Sequence, residues 1–136
     1  MTIGGRAATV ALLLATCASP VVAEEPASRT TRDRIYTTEQ ADRGKEVYKR
    51  VCSQCHALDF YKGEAIKPWE GGTLSDLYDV VANLMPKDNP ASLKRKEYVD
   101  VLAYILSLNG MPTGDAELPS KAADLKAIRI KWRTKS

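Results

Sequence analysis

Two cysteines and the only histidine of the chain lie within one short segment, Cys52-Ser-Gln-Cys55-His56. This C-x-x-C-H pattern is the attachment signal for a c-type haem. Two cysteines at this spacing at the end of a helix can form thioethers with the two haem vinyl groups, and the adjacent histidine can bind the iron. The motif therefore predicts one covalently attached haem c, held by Cys52 and Cys55, with His56 as an axial iron ligand.

Other chemistries also use a cysteine pair at this spacing, but the surrounding sequence argues against them. A thioredoxin-like redox pair lies at a helix start within a βαβ pattern, whereas Cys52 and Cys55 follow a predicted helix and no such pattern surrounds them. A structural zinc site would need further ligands, and His56 is the only histidine. A disulfide between the two cysteines would close too short a loop to stabilise a fold.

Methionine supplies the candidates for the second axial ligand, because no second histidine is present. Met85 precedes Pro86, and a proline disfavours helical geometry in the residue before it. We therefore expect Met85 to lie in a loop between two helices and to bind the iron. Met111, which follows Gly110 in a connector, and an open coordination position are the alternatives.

Three amphipathic helices are predicted to position these residues. Apolar side chains recur at helical spacing over about 37–51, 73–85 and 93–108. The expected N-terminal caps are Thr37 with Gln40, Thr73 with Asp76, and Ser92. Gly44 lies inside the first helix, where glycine costs about 1 kcal/mol relative to alanine, so we expect another helix to approach it closely. Three helices with long loops make a thin core, and a buried cofactor would supply its centre.

The first 23 residues have the pattern of a secretory signal peptide. Arg6 precedes an apolar run at 7–18 that is too short and too quickly broken to span a membrane as a helix. We expect cleavage after Ala23 and export to the periplasm. An uncleaved membrane anchor and a lipid-modified Cys17 are the alternatives.

The rest of the chain is expected to form one domain with two extensions. Residues 24–36 are polar and lack periodicity, which predicts a flexible lead-in. The haem domain is expected at 37–110, followed by an extended connector and basic C-terminal tail at 111–136, in which Leu125, Ile128 and Trp132 suggest a short docking helix. The formal net charge of +3 gives no case for nucleic-acid binding, and no stable membrane span is expected in the mature chain.

Taken together, these features resemble the class I c-type cytochromes over about residues 38–110. The haem motif at the end of a first helix, Met85 in a late loop and an amphipathic last helix carry the resemblance. It implies an all-α fold in which three main helices and long loops surround one haem. It also implies that the first and last helices cross at Gly44 beside an aromatic ring, either Tyr104 or Tyr98.

A narrower resemblance is to the cytochromes associated with or fused to PQQ-dependent (quinoprotein) alcohol dehydrogenases. It rests on the segments MPKDNPASL at 85–93, EYVDVLAYIL at 97–106 and LKAIRI at 125–130. It implies a periplasmic electron carrier, not itself an enzyme, that accepts electrons from a quinoprotein dehydrogenase and passes them to a terminal oxidase.

Two alternatives to a free electron carrier remain open. The chain could be the haem subunit of a larger dehydrogenase or oxidase complex, or an open-site haem enzyme or sensor. An open-site haem enzyme would have no distal acid–base group to use, because the sole histidine is expected to bind the iron. Basic residues beside the Met85 loop are expected to steer an acidic partner, with an ordinary solvated helix start as the alternative. They are Lys87, Lys94, Arg95 and Lys96.

Overall fold

The structure is a computed structural model that describes residues 1–2, 4 and 29–132. Apart from residues 1, 2 and 4, the predicted signal peptide lies outside the described residues, as do Cys17 and the cleavage position after Ala23. Residues 24–28 of the predicted lead-in and 133–136 of the tail also lie outside them. Within the described ranges, no helix combines the length and the apolar character needed to cross a membrane.

The fold is all-α, with three main helices and long loops, as the sequence predicts. The elements in chain order are β1 (Arg29–Thr30), α1 (Thr38–Val51), a 3-10 turn (Cys52–Gln54), a 3-10 helix (Gly63–Trp69), α2 (Leu74–Leu84), α3 (Arg95–Leu108), α4 (Ala122–Lys126) and β2 (Ile128–Arg129). The two short strands, which have no strand pattern in the sequence, pair in parallel. The long loop between α1 and α2 contains the 3-10 helix.

The start of α1 agrees with the sequence, but its second capping contact does not. The side chain of Thr37 accepts a hydrogen bond from the Gln40 backbone N–H at 3.1 Å. The Gln40 amide binds the Leu118 backbone instead, donating at 3.2 Å and accepting at 2.6 Å. Gln40 therefore attaches the connector to α1 rather than completing a capping box.

The predicted cap is right for α2 and wrong for α3. Thr73 and Asp76 exchange two hydrogen bonds of 2.8 and 3.2 Å that cap α2. In contrast, α3 begins at Arg95, and its N-cap is Lys94 rather than Ser92. The reason is Glu97, whose carboxylate accepts the Lys94 backbone N–H at 3.0 Å and so satisfies a donor at the helix start.

The helices α1 and α3 cross at Gly44, which confirms the expected close approach. A Cβ atom on Gly44 would lie 1.8 Å from the Asp100 carbonyl oxygen, so only glycine fits there. Tyr104 is the aromatic residue of this crossing, because its ring centre lies 5.4 Å from that of Tyr48 on α1. Tyr98 packs elsewhere, against α2.

Residues 29–36 are packed against the domain, so the expectation of a flexible lead-in is wrong for this part of it. Thr31, Ile35 and Tyr36 are buried. The Thr31 hydroxyl exchanges hydrogen bonds of 3.0 and 2.9 Å with the backbone of Lys131. Lys131, the partner of Thr31, lies a hundred residues further along the chain. The polarity of residues 24–36 carries no information on such a distant contact.

The connector and tail also pack against the domain. Met111 and Leu118 are buried in the connector, and the Met111 carbonyl accepts the Tyr36 hydroxyl at 2.6 Å. The tail does form a short helix, α4, in which Leu125 is buried, but the expected helical pattern stops there, because Ile128 lies in β2 and Trp132 is not helical. Both extensions therefore contribute to the core of the domain.

Candidate haem site

A cavity of about 550 Å³ lies between the end of α1 and the loop that follows α2. All four predicted site residues line it, namely Cys52, Cys55 and His56 on one segment and Met85 on the other. Its volume falls within the usual range for small-molecule and cofactor sites, about 300–1,000 Å³. The fold thus brings together residues from two separate parts of the chain around one cavity.

The end of α1 fixes the cysteines and the histidine relative to one another. The helix tightens after Val51 into the 3-10 turn. The backbone N–H groups of Cys55 and His56 both donate to the Cys52 carbonyl, at 3.1 and 2.9 Å. This turn places all three side chains at the same cavity.

Both cysteine thiols are free, and the surroundings of Cys52 do not tune it for disulfide exchange. Cys52 is partly buried, and this burial raises the pKa of its thiol. Reactive cysteines of redox pairs have a lowered pKa, which increases the thiolate fraction. The environment of Cys52 therefore gives no support to a thioredoxin-like redox pair.

The His56 ring packs against aromatic side chains. Its centre lies 4.5 Å from that of Phe60 and 6.2 Å from that of Tyr61. The backbone that follows is held as well, because the Tyr48 hydroxyl donates to the Ala57 carbonyl at 3.0 Å. The imidazole thus belongs to an ordered aromatic cluster at the cavity wall.

Met85 reaches the cavity because α2 stops at Leu84. Its backbone is extended, with φ −127° and ψ 146°, as expected for a residue before proline. The Met85 N–H still donates to the Val81 carbonyl at 3.1 Å, which joins the residue to the last turn of α2. Met111 is buried beyond α3 and is not among the cavity-lining residues. The geometry therefore favours Met85 over Met111 as a ligand.

The remaining wall is largely apolar. Val51, Val81 and Val101 line it together with the rings of Tyr48 and Tyr61. Burial raises the pKa of both tyrosines, so their hydroxyls stay protonated at neutral pH. The sequence marks Tyr48 only as a core position of α1 and gives no signal for Tyr61, because its distance from His56 depends on how the loop folds.

One residue of the expected basic surface, Lys96, is paired with acidic neighbours although its side chain is exposed. The Lys96 ammonium group lies 3.0 Å from the Glu117 carboxylate and 3.5 Å from that of Asp100. Arg43 binds the same two carboxylates, at 2.6 and 3.2 Å. Hydrogen bonds from Lys96 and Arg43 lower the pKa of Glu117, which keeps the carboxylate charged at neutral pH. The charge of Lys96 is therefore largely compensated by its neighbours.

Arg95 is also engaged by its neighbours. Its guanidinium group lies 4.4 Å from the centre of the Tyr78 ring and donates a hydrogen bond to the Ser120 carbonyl. In contrast, Lys87 lines the cavity and is exposed. The expected surface of four basic residues is therefore reduced, because two of them bind groups from the connector or from α2.

A comparison with protein families identifies the central part of the chain. Residues 39–105 match the family model described as cytochrome C oxidase, cbb3-type, subunit III. Over these residues, just under half of the chain, the protein is similar to a cytochrome c domain. The match contains α2, most of α1 and α3, and all four predicted site residues. No curated protein and no solved structure matches the chain significantly.

A cytochrome c domain binds haem c, and the cavity has the chemistry to hold it. The donor set consists of two thiols, one imidazole and one thioether, and the valine side chains suit an apolar macrocycle. Haem-based electron transfer is the activity that such a domain supports. The narrower resemblance to cytochromes of quinoprotein alcohol dehydrogenases stays a prediction.

Proposed function

We propose that the protein is a periplasmic one-electron carrier. Cys52 and Cys55 hold one haem c through thioethers, and His56 and Met85 are its axial ligands. The observation that carries the proposal is the convergence of a histidine and a methionine, from two different loops, on one largely apolar cavity. The haem supplies an iron centre that changes its charge by one electron.

The residues of the cavity favour electron transfer over substrate chemistry. With an imidazole and a thioether as its two axial ligands, the iron keeps no open position for a substrate. A methionine opposite a histidine raises the reduction potential. The wall formed by Val51, Val81 and Val101 limits water and lowers the local dielectric, which tunes the potential further.

The partners in this proposal are a quinoprotein dehydrogenase as the electron donor and a terminal oxidase as the acceptor. The donor follows from the resemblance of the segments at 85–93, 97–106 and 125–130 to cytochromes of that group. A second candidate function is that of a haem subunit in a larger dehydrogenase or oxidase complex. The description of the matching family as an oxidase subunit favours it.

Co-purification distinguishes the free carrier from the subunit. The protein is isolated from its native host at native salt and analysed by size-exclusion chromatography. A free carrier elutes as a single small haem protein, whereas a subunit elutes with a stoichiometric partner of larger size.

The haem attachment itself is tested by extraction with acidified acetone. Wild-type protein, produced by export in a host that matures c-type cytochromes, is expected to retain its haem after extraction and denaturation. Cys52→Ala and Cys55→Ala should each weaken retention, and the double variant should abolish it. The matched control is Ser53→Ala, which changes an exposed side chain between the cysteines and should retain haem fully. Free extraction of haem from the wild type would contradict the proposal.

A further inference from the structure

Two tyrosines of α3 bind the two segments that carry the proposed iron ligands. The Tyr98 hydroxyl donates to the Met85 carbonyl at 2.8 Å. The Tyr104 hydroxyl donates, also at 2.8 Å, to the carbonyl of Leu58, which lies two residues after His56. Six residues of helix separate the two tyrosines, a distance of about 9 Å along the axis. One helix thus contacts both sides of the site.

The rings that carry these hydroxyls are firmly packed. Tyr98 and Tyr104 are 3% and 6% exposed. Tyr98 meets Tyr78 of α2 edge to face, with ring centres 6.1 Å apart, and Tyr104 meets Tyr48 of α1 at 5.4 Å. Ring packing therefore fixes both donors independently of the loops. Their hydrogen bonds hold the backbone of the two loops in position relative to α3.

The Met85 segment has few other backbone hydrogen bonds. Pro86 has no N–H group to donate. The next backbone bonds of the loop join Asn89 to the Pro86 carbonyl and Ala91 to the Ala82 carbonyl, each at 3.0 Å. The hydroxyl of Tyr98 is therefore the direct link between the Met85 backbone and α3.

We propose that Tyr98 and Tyr104 are positioning residues through which α3 sets the separation of the Met85 and His56 segments. The inference rests on the proposed haem ligands. Tyr98 holds the Met85 backbone where the thioether can stay on the iron. Tyr104, with the help of Tyr48, holds the backbone after His56 and so fixes the imidazole.

The size of the effect follows from ordinary hydrogen-bond energetics. One buried hydrogen bond contributes about 1 kcal/mol net, which corresponds to about a five-fold change in an equilibrium constant. Without the hydroxyl of Tyr98, the state with Met85 displaced from the iron should become about five-fold more populated. Cyanide binds the oxidised iron only when that position is open, so its rate of binding reports this population.

The experiment compares Tyr98→Phe with Tyr36→Phe in the oxidised holoprotein. Tyr36 is a matched control, because its buried hydroxyl donates to the carbonyl of the other methionine, Met111, at 2.6 Å. Both variants lose one tyrosine–methionine backbone bond, and Tyr98→Phe also loses the long hydrogen bond of 3.5 Å that the Leu93 N–H donates to the Tyr98 hydroxyl. We expect cyanide to bind Tyr98→Phe about five-fold faster than the wild type, and to bind Tyr36→Phe at the wild-type rate.

The Tyr104→Phe variant tests the histidine side and provides a second, independent readout. We expect its cyanide rate to match the wild type, while the paramagnetically shifted NMR signals of the His56 ring move. Those signals should stay in place in Tyr36→Phe. Unchanged His56 signals in Tyr104→Phe would overturn the role of Tyr104.

The outcomes separate this inference from the proposed function. Oxidised haem iron bound by a thioether has a weak far-red absorption band that arises from sulfur and iron. A wild-type protein without this band would overturn the proposed ligand pair itself. A wild-type protein that has the band, together with equal cyanide rates in Tyr98→Phe and Tyr36→Phe, would overturn only the positioning role of Tyr98.

Discussion

Single side chains decide which charges of the protein can meet a redox partner. Both side chains are exposed, but Lys96 has two carboxylates within 3.5 Å, whereas Lys87 lies at the cavity next to Asp88. In sequence they look equivalent, because both are lysines beside the same predicted loop. Their difference arises from Glu117, a connector residue that folding brings to Lys96. Lys87 is therefore the better placed of the two to steer an anionic partner to the cavity.

Charge reversal at these two lysines should have unequal effects on electron transfer. We expect Lys87→Glu to slow oxidation of the reduced protein by the anionic oxidant ferricyanide, because it replaces a positive charge at the cavity with a second negative charge beside Asp88. The slowing should fade as salt rises, since the screening length falls to about 8 Å at physiological ionic strength. Stopped-flow absorbance over a salt series measures both effects.

Lys96→Glu is the matched control for that prediction, because it changes the net charge by the same amount. It should affect the oxidation rate less and the stability more, since it places a third carboxylate beside Asp100 and Glu117. Equal slowing by the two reversals would show that only the net charge matters.

The crossing of α1 and α3 is the central contact between elements. Arg43 and Gly44, adjacent on α1, meet α3 through the Asp100 side chain and the Asp100 backbone. This crossing orients the end of α1, where the haem motif begins, relative to the tyrosines of α3. A substitution that disturbs this crossing should therefore affect both the stability of the protein and the geometry of the haem site.

Gly44→Ala should lower the free energy of unfolding, although alanine is the better helix former. The added Cβ would lie 1.8 Å from the Asp100 carbonyl oxygen, and overpacking of this kind costs about 1–3 kcal/mol. The gain in helix propensity is about 1 kcal/mol, so we expect a net loss. Urea unfolding of the holoprotein, followed by circular dichroism, measures it.

The control for Gly44→Ala is Lys45→Ala, the exposed neighbour on the same helix. It should leave the free energy of unfolding nearly unchanged. A Gly44→Ala variant as stable as the wild type would mean that the two helices can separate at little cost.

The bounds of the helices could be predicted where residues next to each helix end determine them. The periodicity and the Thr37 and Thr73 caps located α1 and α2, and Pro86 correctly ended α2. The start of α3 was misplaced, because Ser92 and Lys94 both precede the helix and only the reach of Glu97 selects Lys94. The preference of a residue type for the N-cap position is therefore weaker evidence for a helix start than a side chain, here Glu97, that can bind the N-cap backbone.

At the scale of the whole molecule, the extensions were the least predictable part. The parallel pair of β1 and β2 and the Gln40–Leu118 bonds join the two ends of the described chain to the domain. Each contact joins positions more than seventy residues apart, and neither partner has a local pattern that reveals it. The four predicted site residues meet for a simpler reason: Cys52, Cys55 and His56 follow α1 closely, and Met85 follows α2, whose end is marked by Pro86.

The most direct test of the proposed site compares the two methionines. Oxidised haem iron bound by a thioether has a weak far-red absorption band. Met85→Ala should abolish this band, lower the reduction potential and let cyanide bind faster. Met111→Ala, the matched control in the connector, should keep the band and the potential, although loss of a buried side chain should cost about 2–5 kcal/mol of stability. Loss of the band in Met111→Ala and its survival in Met85→Ala would contradict the proposed site.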